Sequence, residues 1–236
     1  MKIKAFTMAE VLITLGIIGI VMAMTLPSII GKYQKKVTVE RLKKVYTVIS
    51  QAVALSVKDH EEVEYWDFEL SAQDFMDTYL SPYFQKVASE EKTTDTRYSK
   101  TYALPDGTTF KGWMFKNPSP AEHDYTTFYQ IIVDINGEQK PNQLGRDTFI
   151  FYLFPIKNSV FNGGLGNIAK NVPRAGLYPD GYGYDRETLK NGGWRGCNKD
   201  KDDEDPNGYQ GLSTAGAFCT ALIMMDGWEI ADDYKW

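Results

Sequence analysis

The sequence is short of basic charge: Lys and Arg number 26 against 31 Asp and Glu, for a formal net charge of -5. The Lys and Arg residues gather near the N-terminus, so the body of the chain carries no electrostatic footprint for nucleic acid. Histidine is scarcer still, with only His60 and His123, one in a charged segment and one in a Pro-flanked stretch. No Gly-x-Ser-x-Gly elbow, His-Glu-x-x-His helix or phosphate-binding loop accompanies them, which argues against catalysis. Cysteine is limited to Cys197 and Cys219. In an oxidising compartment two cysteines close one disulfide; the rival reading, a catalytic or metal-binding pair, lacks both a Cys-x-x-Cys spacing and a His-rich partner segment. At 236 residues and 43% hydrophobic, the chain suffices for one medium domain with a real core plus an appendage.

Charge is wholly missing from Val11 to Ile30. At about 1.5 Å per residue, a helix over that run spans roughly 30 Å, the hydrocarbon thickness of a bilayer. Lys2 and Lys4 form a very short positive region ahead of it, and the apolar run passes into a polar, helix-compatible stretch without the small-residue cleavage site of an ordinary secretory signal. Glu10 stands at the start of this segment. An ionised side chain in mid-membrane costs roughly 2.5–3.5 kcal/mol on insertion scales, so such a group is paired, functional, or near enough to an end to reach the headgroups. Cleavage between Ala5 and Phe6 would give Phe6 a free ammonium one helical turn from Glu10, and the two charges would neutralise each other within a chain or between adjacent chains.

The run Ala5-Phe6-Thr7-Met8-Ala9-Glu10, followed by an apolar segment holding Gly19 and Pro27, resembles the type IV prepilin N-terminus shared by pilins and type II secretion pseudopilins. The resemblance is dense over residues 4–30. It implies removal of a 1–5 leader by a prepilin peptidase, N-methylation of Phe6, and recognition by Glu10 of a neighbouring subunit's N-terminus. It also implies a helix that loosens between Gly19 and Pro27 during assembly, consistent with the hydrogen bond that proline removes. Implied partners are other pilin or pseudopilin subunits and an inner-membrane assembly platform. The implied location is a single pass through the inner membrane with the C-terminal domain outside the cytoplasm. One departure is that Ala5 stands where the family usually has glycine. Gly16, Gly19 and Ala23 recur at three- and four-residue spacing, either a packing face for another helix or ordinary transmembrane composition. Lys32, Lys35, Lys36, Arg41, Lys43 and Lys44 follow the span against two basic residues before it. The positive-inside rule alone would keep the C-terminus in the cytoplasm, but large domains translocate despite flanking charge, and the cysteines favour export.

Leu42, Val45, Tyr46, Ile49 and Val53 continue at helical spacing, which predicts one helix over about Phe6–Val57: a transmembrane or filament-core part (6–30), an amphipathic continuation (31–60) and a globular domain (61–236). A second helix begins at the Ser71–Asp74 capping pattern and stops near Pro82. Thr101–Leu104 and Thr108–Phe115 flank the turn Pro105-Asp106-Gly107 as a hairpin; Phe128–Ile135 and Thr148–Phe154 are β-rich. The fold class is therefore α+β, with a mainly antiparallel four-stranded sheet packed on the long helix, as in the pilin-like architecture. Residues 162–212, rich in Gly, Asn, Asp, Pro and Tyr, read as a long loop. A Cys197–Cys219 disulfide would close its end, for a chain-entropy gain of roughly 3 kcal/mol; C-terminal loops closed this way are familiar in type IV pilins. Ser213 caps a short helix running to Met225, with Gly227 ending it and Trp228 and Ile230 returning to the core.

Two oxygen-rich clusters have the residue types calcium prefers. Asp134, Asn136, Asn142 and Asp147 can converge across the connection between the last two predicted strands, or can form an ordinary polar turn of Asx type. This segment resembles pseudopilins of type II secretion systems, some of which carry calcium, and that resemblance tilts the functional reading toward type II secretion. Asn198, Asp200, Asp202 and Glu204 alternate like part of an EF-hand loop but lack its glycine. No cofactor is required. The alternatives to a filament subunit are a minor pilin or surface adhesin using the Tyr/Gly-rich loop, and a membrane-anchored binding domain that never polymerises.

Overall fold

The computed structural model describes residues 7–85, 88–89, 96–116, 127–137, 139–155, 169, 172–198 and 215–234. They fall into two units, Met1–Val37 and Thr38–Trp236. Helix α1 runs unbroken over Met8–His60, through Pro27. It starts two residues inside the sequence expectation and ends three residues beyond it. Within the second unit Thr38, Val39, Leu42, Val45, Ile49, Ala52, Val53 and Ser56 are buried, the three- and four-residue recurrence that makes one stripe of a helix apolar. The helix ends where Glu61 takes a positive φ of 67°.

Ser71 caps α2, Ala72–Phe75, its hydroxyl accepting from Asp74 N–H. The segment then widens into a π turn at Met76–Leu80 and tightens into a 3-10 turn at Ser81–Tyr83 containing Pro82. The expected second helix is present in this broken form. Tyr102 pins it to the sheet by donating to Asp77 Oδ1 at 2.6 Å and accepting from Gln73 Nε2 at 2.8 Å.

Among the described residues the sheet has six antiparallel strands in sequence order: β1 Ala88–Ser89, β2 Tyr102–Ala103, β3 Thr109–Phe115, β4 Phe128–Asp134, β5 Thr148–Phe154 and β6 Gly176–Pro179. The four expected strands form its middle. The β2–β3 hairpin pairs Tyr102 with Phe110 and Ala103 with Thr109, closed by Leu104 N–H donating to Thr108 O at 2.8 Å. The expected count of four is corrected to six because β1 and β6 add one strand at each edge. Runs of two and four residues are too short to show a two-residue period.

Every residue of β5 is buried. Alternation assigns its two faces: Phe149, Phe151 and Leu153 join the core that includes Leu42, Ile49 and Phe75. Ile150, Tyr152 and Phe154 join a second core with Trp113, Phe128, Val172, Tyr178 and Ala217. The sheet is thus covered on both faces, and the sequence reading of 162–212 as a loop is corrected for its described part. Residues 176–179 pair with β5, and Arg186–Asn191 forms α3, capped by Asp185. Cys197 and Cys219 are joined in a disulfide, as expected, with Cα atoms 4.7 Å apart. Helix α4, Cys219–Met225, follows; the expected cap Ser213 lies outside the described residues. Gly227, at φ 78°, ends α4. Its N–H donates to Met224 O and that of Trp228 to Ile223 O at 2.8 Å, the paired bonds of a glycine-terminated helix.

Candidate functional site

The apolar segment begins with a reciprocal cap. Thr7 Oγ1 accepts from Glu10 N–H at 3.3 Å, while Glu10 Oε2 accepts from Thr7 N–H at 2.8 Å and from the Thr7 hydroxyl at 2.9 Å. This is a capping box, Thr-x-x-Glu, which satisfies two of the amides a helix start leaves without partners. Glu10 therefore has a local role in addition to the intersubunit one implied by the resemblance. The sequence signal was present in Thr7-Met8-Ala9-Glu10. Ala5 and Phe6, the residues of the implied cleavage site, lie outside the described residues.

From Met8 to Ile30 every side chain is exposed. The helix is long and apolar enough to cross a membrane, with a mean hydropathy of 2.2 over its most apolar window and none of that window buried. Nothing lies within 4 Å of where a Cβ at Gly16 or Gly19 would stand, so the small-residue face is open to another helix. Pro27 lies inside the helix and has no N–H to give to the carbonyl four residues before it. The Gly19–Pro27 segment is helical here.

Asp134, Asn136, Asn142 and Asp147 do come together, at the ends of β4 and β5. Asp134 Oδ1 accepts from Asn136 N–H at 3.0 Å, an Asx turn. Asp147 accepts from the N–H groups of Asn142 at 2.8 Å and Gln143 at 2.6 Å, and from Asn136 Nδ2 at 3.3 Å. With its amide oriented to suit its neighbours, Asn142 donates to Gln139 O at 2.7 Å and to Asp134 Oδ2 at 3.3 Å. Burial pushes the Asp134 carboxyl up to about 6; the N–H of Asn136 opposes this, and the Asp147 charge adds to it. Calcium takes six to eight oxygens; in this arrangement Asn136 turns its amide nitrogen toward Asp147 and Asn142 turns its own toward Asp134. The arrangement is a hydrogen-bonded polar turn. Among the described residues no group of three or more His, Cys, Asp or Glu converges as a metal site.

In the second cluster, Asn198 donates to Asn191 Oδ1 at 3.1 Å, while Asp200, Asp202 and Glu204 lie outside the described residues. His60 is exposed and meets Tyr79 edge-on at 5.2 Å; His123 lies outside the described residues.

Sequence reasoning missed two ionic constellations that join distant parts of the C-terminal half. Asp180 and Arg195 form an ion pair in which both side chains are buried. Tyr152 donates to Asp180 Oδ2 at 3.2 Å and accepts from Arg195 Nη2 at 3.2 Å and from Gln130 Nε2 at 3.0 Å. Burial pushes the Asp180 carboxyl up, against the opposing pull of Arg195. Nearer the surface, Arg186 makes two-pronged contacts with both Asp226 and Asp233, at 2.8–3.0 Å. These contacts hold the carboxylate of Asp233 well below its usual range, with help from Lys190. The one sequence signal was the turn-like Pro179-Asp180-Gly181.

A family described as a family of unknown function, DUF6613, matches residues 28–236. The match takes in the whole of the sheet and the disulfide and stops short of the segment from Ala5 to Pro27. No curated protein and no solved structure matches the chain.

Proposed function

The chain belongs to the family of unknown function DUF6613, and from its residues we propose that it is a structural subunit of a type IV pilus-like filament. In this reading α1 is the assembly element. A prepilin peptidase removes residues 1–5, Phe6 becomes the methylated N-terminus, and residues 6–30 lie in the inner membrane before entering the filament core. The domain lies on the extracytoplasmic side, where the Cys197–Cys219 disulfide can form. The observation that carries the proposal is that one continuous helix is exposed and apolar from Met8 to Ile30 and then contributes a buried stripe to an α+β domain. Such an apolar surface needs lipid or other helices around it.

Within this class we favour a type II secretion pseudopilin, on the strand–loop–strand resemblance of β4 and β5. The alternative adhesin would present clustered aromatic residues from the 162–212 stretch to solvent. Against it, Val172, Tyr178 and Leu189 of that stretch are buried. No cofactor enters the proposal; the Asp134–Asp147 cluster serves as a fold-building turn.

The capping box sharpens the test. Glutamine serves as well as glutamate at the third helical position, so Glu10→Gln keeps the helix start and removes only the charge. Membrane insertion should be unchanged while cross-linkable α1–α1 assemblies fall to a minor fraction. Assembly at the wild-type level would reject pairing between Glu10 and a neighbour's amine. Thr7→Ala, which weakens the cap and leaves the charge, serves as the contrasting variant.

A further inference from the structure

The turn that follows β4 is wedged between the disulfide and α1, and its contacts come from three parts of the chain. On one side Gly145, at φ 84°, approaches Cys219 so closely that an added Cβ would stand 2.9 Å from the cysteine Cβ and inside the contact shell of its sulfur. The neighbouring Gly216, before the second cysteine, lies as close to Leu144, where a Cβ would stand 2.7 Å from the Leu144 carbonyl oxygen. Tyr234 adds a third tie by donating its hydroxyl to Gly145 O. On the other side the same turn accepts from α1: Arg41 Nη1 donates to Ile135 O at 3.2 Å, and Thr38 Oγ1 reaches Arg146 O at 3.5 Å. Cys197 and Cys219 are 3% and 2% exposed, so the sulfur pair forms a floor under the turn.

We infer that the Cys197–Cys219 disulfide is a redox latch on the seat of α1: its formation fixes the 139–147 turn, and the turn in turn fixes Thr38 through Arg146 O, and Arg41 through Ile135, whose N–H donates to Asp147 O at 2.9 Å. Forming the latch transfers two electrons and two protons from the two thiols to a disulfide-bearing oxidant, which leaves as a dithiol. Reduction by a dithiol runs the exchange backwards. The covalent tie between the sulfurs is then lost, the segment from Gly216 to Cys219 keeps only the backbone bonds of Gly216 N–H to Gly196 O at 3.2 Å and Phe218 N–H to Arg195 O at 3.0 Å, and the surface that Gly145 packs on is free to shift. The Asp147 bonds to Asn142 and Gln143 loosen with it. In the oxidised chain the α1 segment around Thr38–Arg41 is held by the turn as well as by the core stripe. This inference rests on the turn's own contacts and holds whether or not the chain polymerises.

Hydrogen–deuterium exchange on the full chain in detergent, oxidised and after reduction with dithiothreitol, reads the latch over the first seconds of labelling. Reduction should speed exchange in peptides covering 139–147 by about tenfold or more, with the α1 peptide around Thr38–Arg41 moving in the same direction, while β3 and β4 stay protected. Unchanged exchange in 139–147 overturns the inference. So does loss of protection throughout the sheet, which would make the disulfide a general staple. Gly145→Ala with the disulfide intact is the second probe: the side chain pushes the turn off the sulfur, and the same local acceleration should appear with α4 beyond Cys219 unaffected. A quiet turn in this variant counts against the latch equally.

Discussion

Replacing Asp134 by asparagine should make the protein more stable at neutral pH and leave it unchanged in acid. The folded protein holds the Asp134 carboxyl at about 6, against an ordinary 3.8, so the native state keeps its proton over a range where the unfolded chain has lost it. Stability attributable to this group is therefore present below about pH 4 and is lost as the pH rises toward 6. A shift of about two units is worth about 3 kcal/mol at 1.36 kcal/mol per unit. Solvent around a half-buried carboxylate screens this to about 1–2 kcal/mol. Asparagine keeps an oxygen to accept from Asn136 N–H, and Asn142 can rotate its amide to face the new nitrogen, so the turn survives. For a domain of this size the gain corresponds to a melting temperature higher by about 2–8 °C near pH 7.5. Near-UV circular dichroism melts of the full chain in detergent at several pH values provide the assay, repeated with calcium on the order of millimolar. A variant that melts below the wild type at neutral pH, or a difference that ignores pH, refutes the reasoning. A calcium-dependent gain seen in the wild type and absent from the variant would show that the turn holds a cation after all.

Asp180→Asn leaves Arg195 charged, buried and short of its counter-ion, which should cost about 3–5 kcal/mol; combining it with Arg195→Met should recover much of that loss in a denaturant-based double-mutant cycle, and simple additivity would show that the two do not interact. Ser71→Ala removes the cap of α2 and should lower stability by about 1 kcal/mol with no change in the α1 signal, measured by urea unfolding.

Local chemistry made much of this fold readable. The apolar stripe of α1, the Pro105-Asp106-Gly107 turn, the β-branched and aromatic run of β4, the cap at Ser71 and the glycine at 227 each act within a few residues, and each is where the sequence places it. The π turn at Met76–Leu80 was not readable because it depends on Tyr102, which lies some twenty residues further along the chain and bonds to Asp77 and Gln73. Strand β6 and helix α3 were read as loop because Gly176-Leu-Tyr-Pro and Arg186–Asn191 are too short to show a period; what defines them is pairing with β5 and the Asp185 cap. At the candidate site the convergence of the four Asp and Asn residues was legible from the strand connection, but the direction of the amides was not, because it is set by the acceptors around them: Asp147 for Asn136, and Gln139 O and Asp134 for Asn142. The reason for Glu10 was half legible: the charge suggested a distant amine, and the adjacent Thr7 already offered a partner one turn away.

The central claim concerns the first residues of the functional chain, and intact-mass spectrometry of the protein purified from membranes that contain a prepilin peptidase tests it most directly. The account predicts a chain that begins at a methylated Phe6, without its first five residues. A chain that still begins at Met1 in those membranes would contradict it, because Glu10 would then have no terminal ammonium to meet.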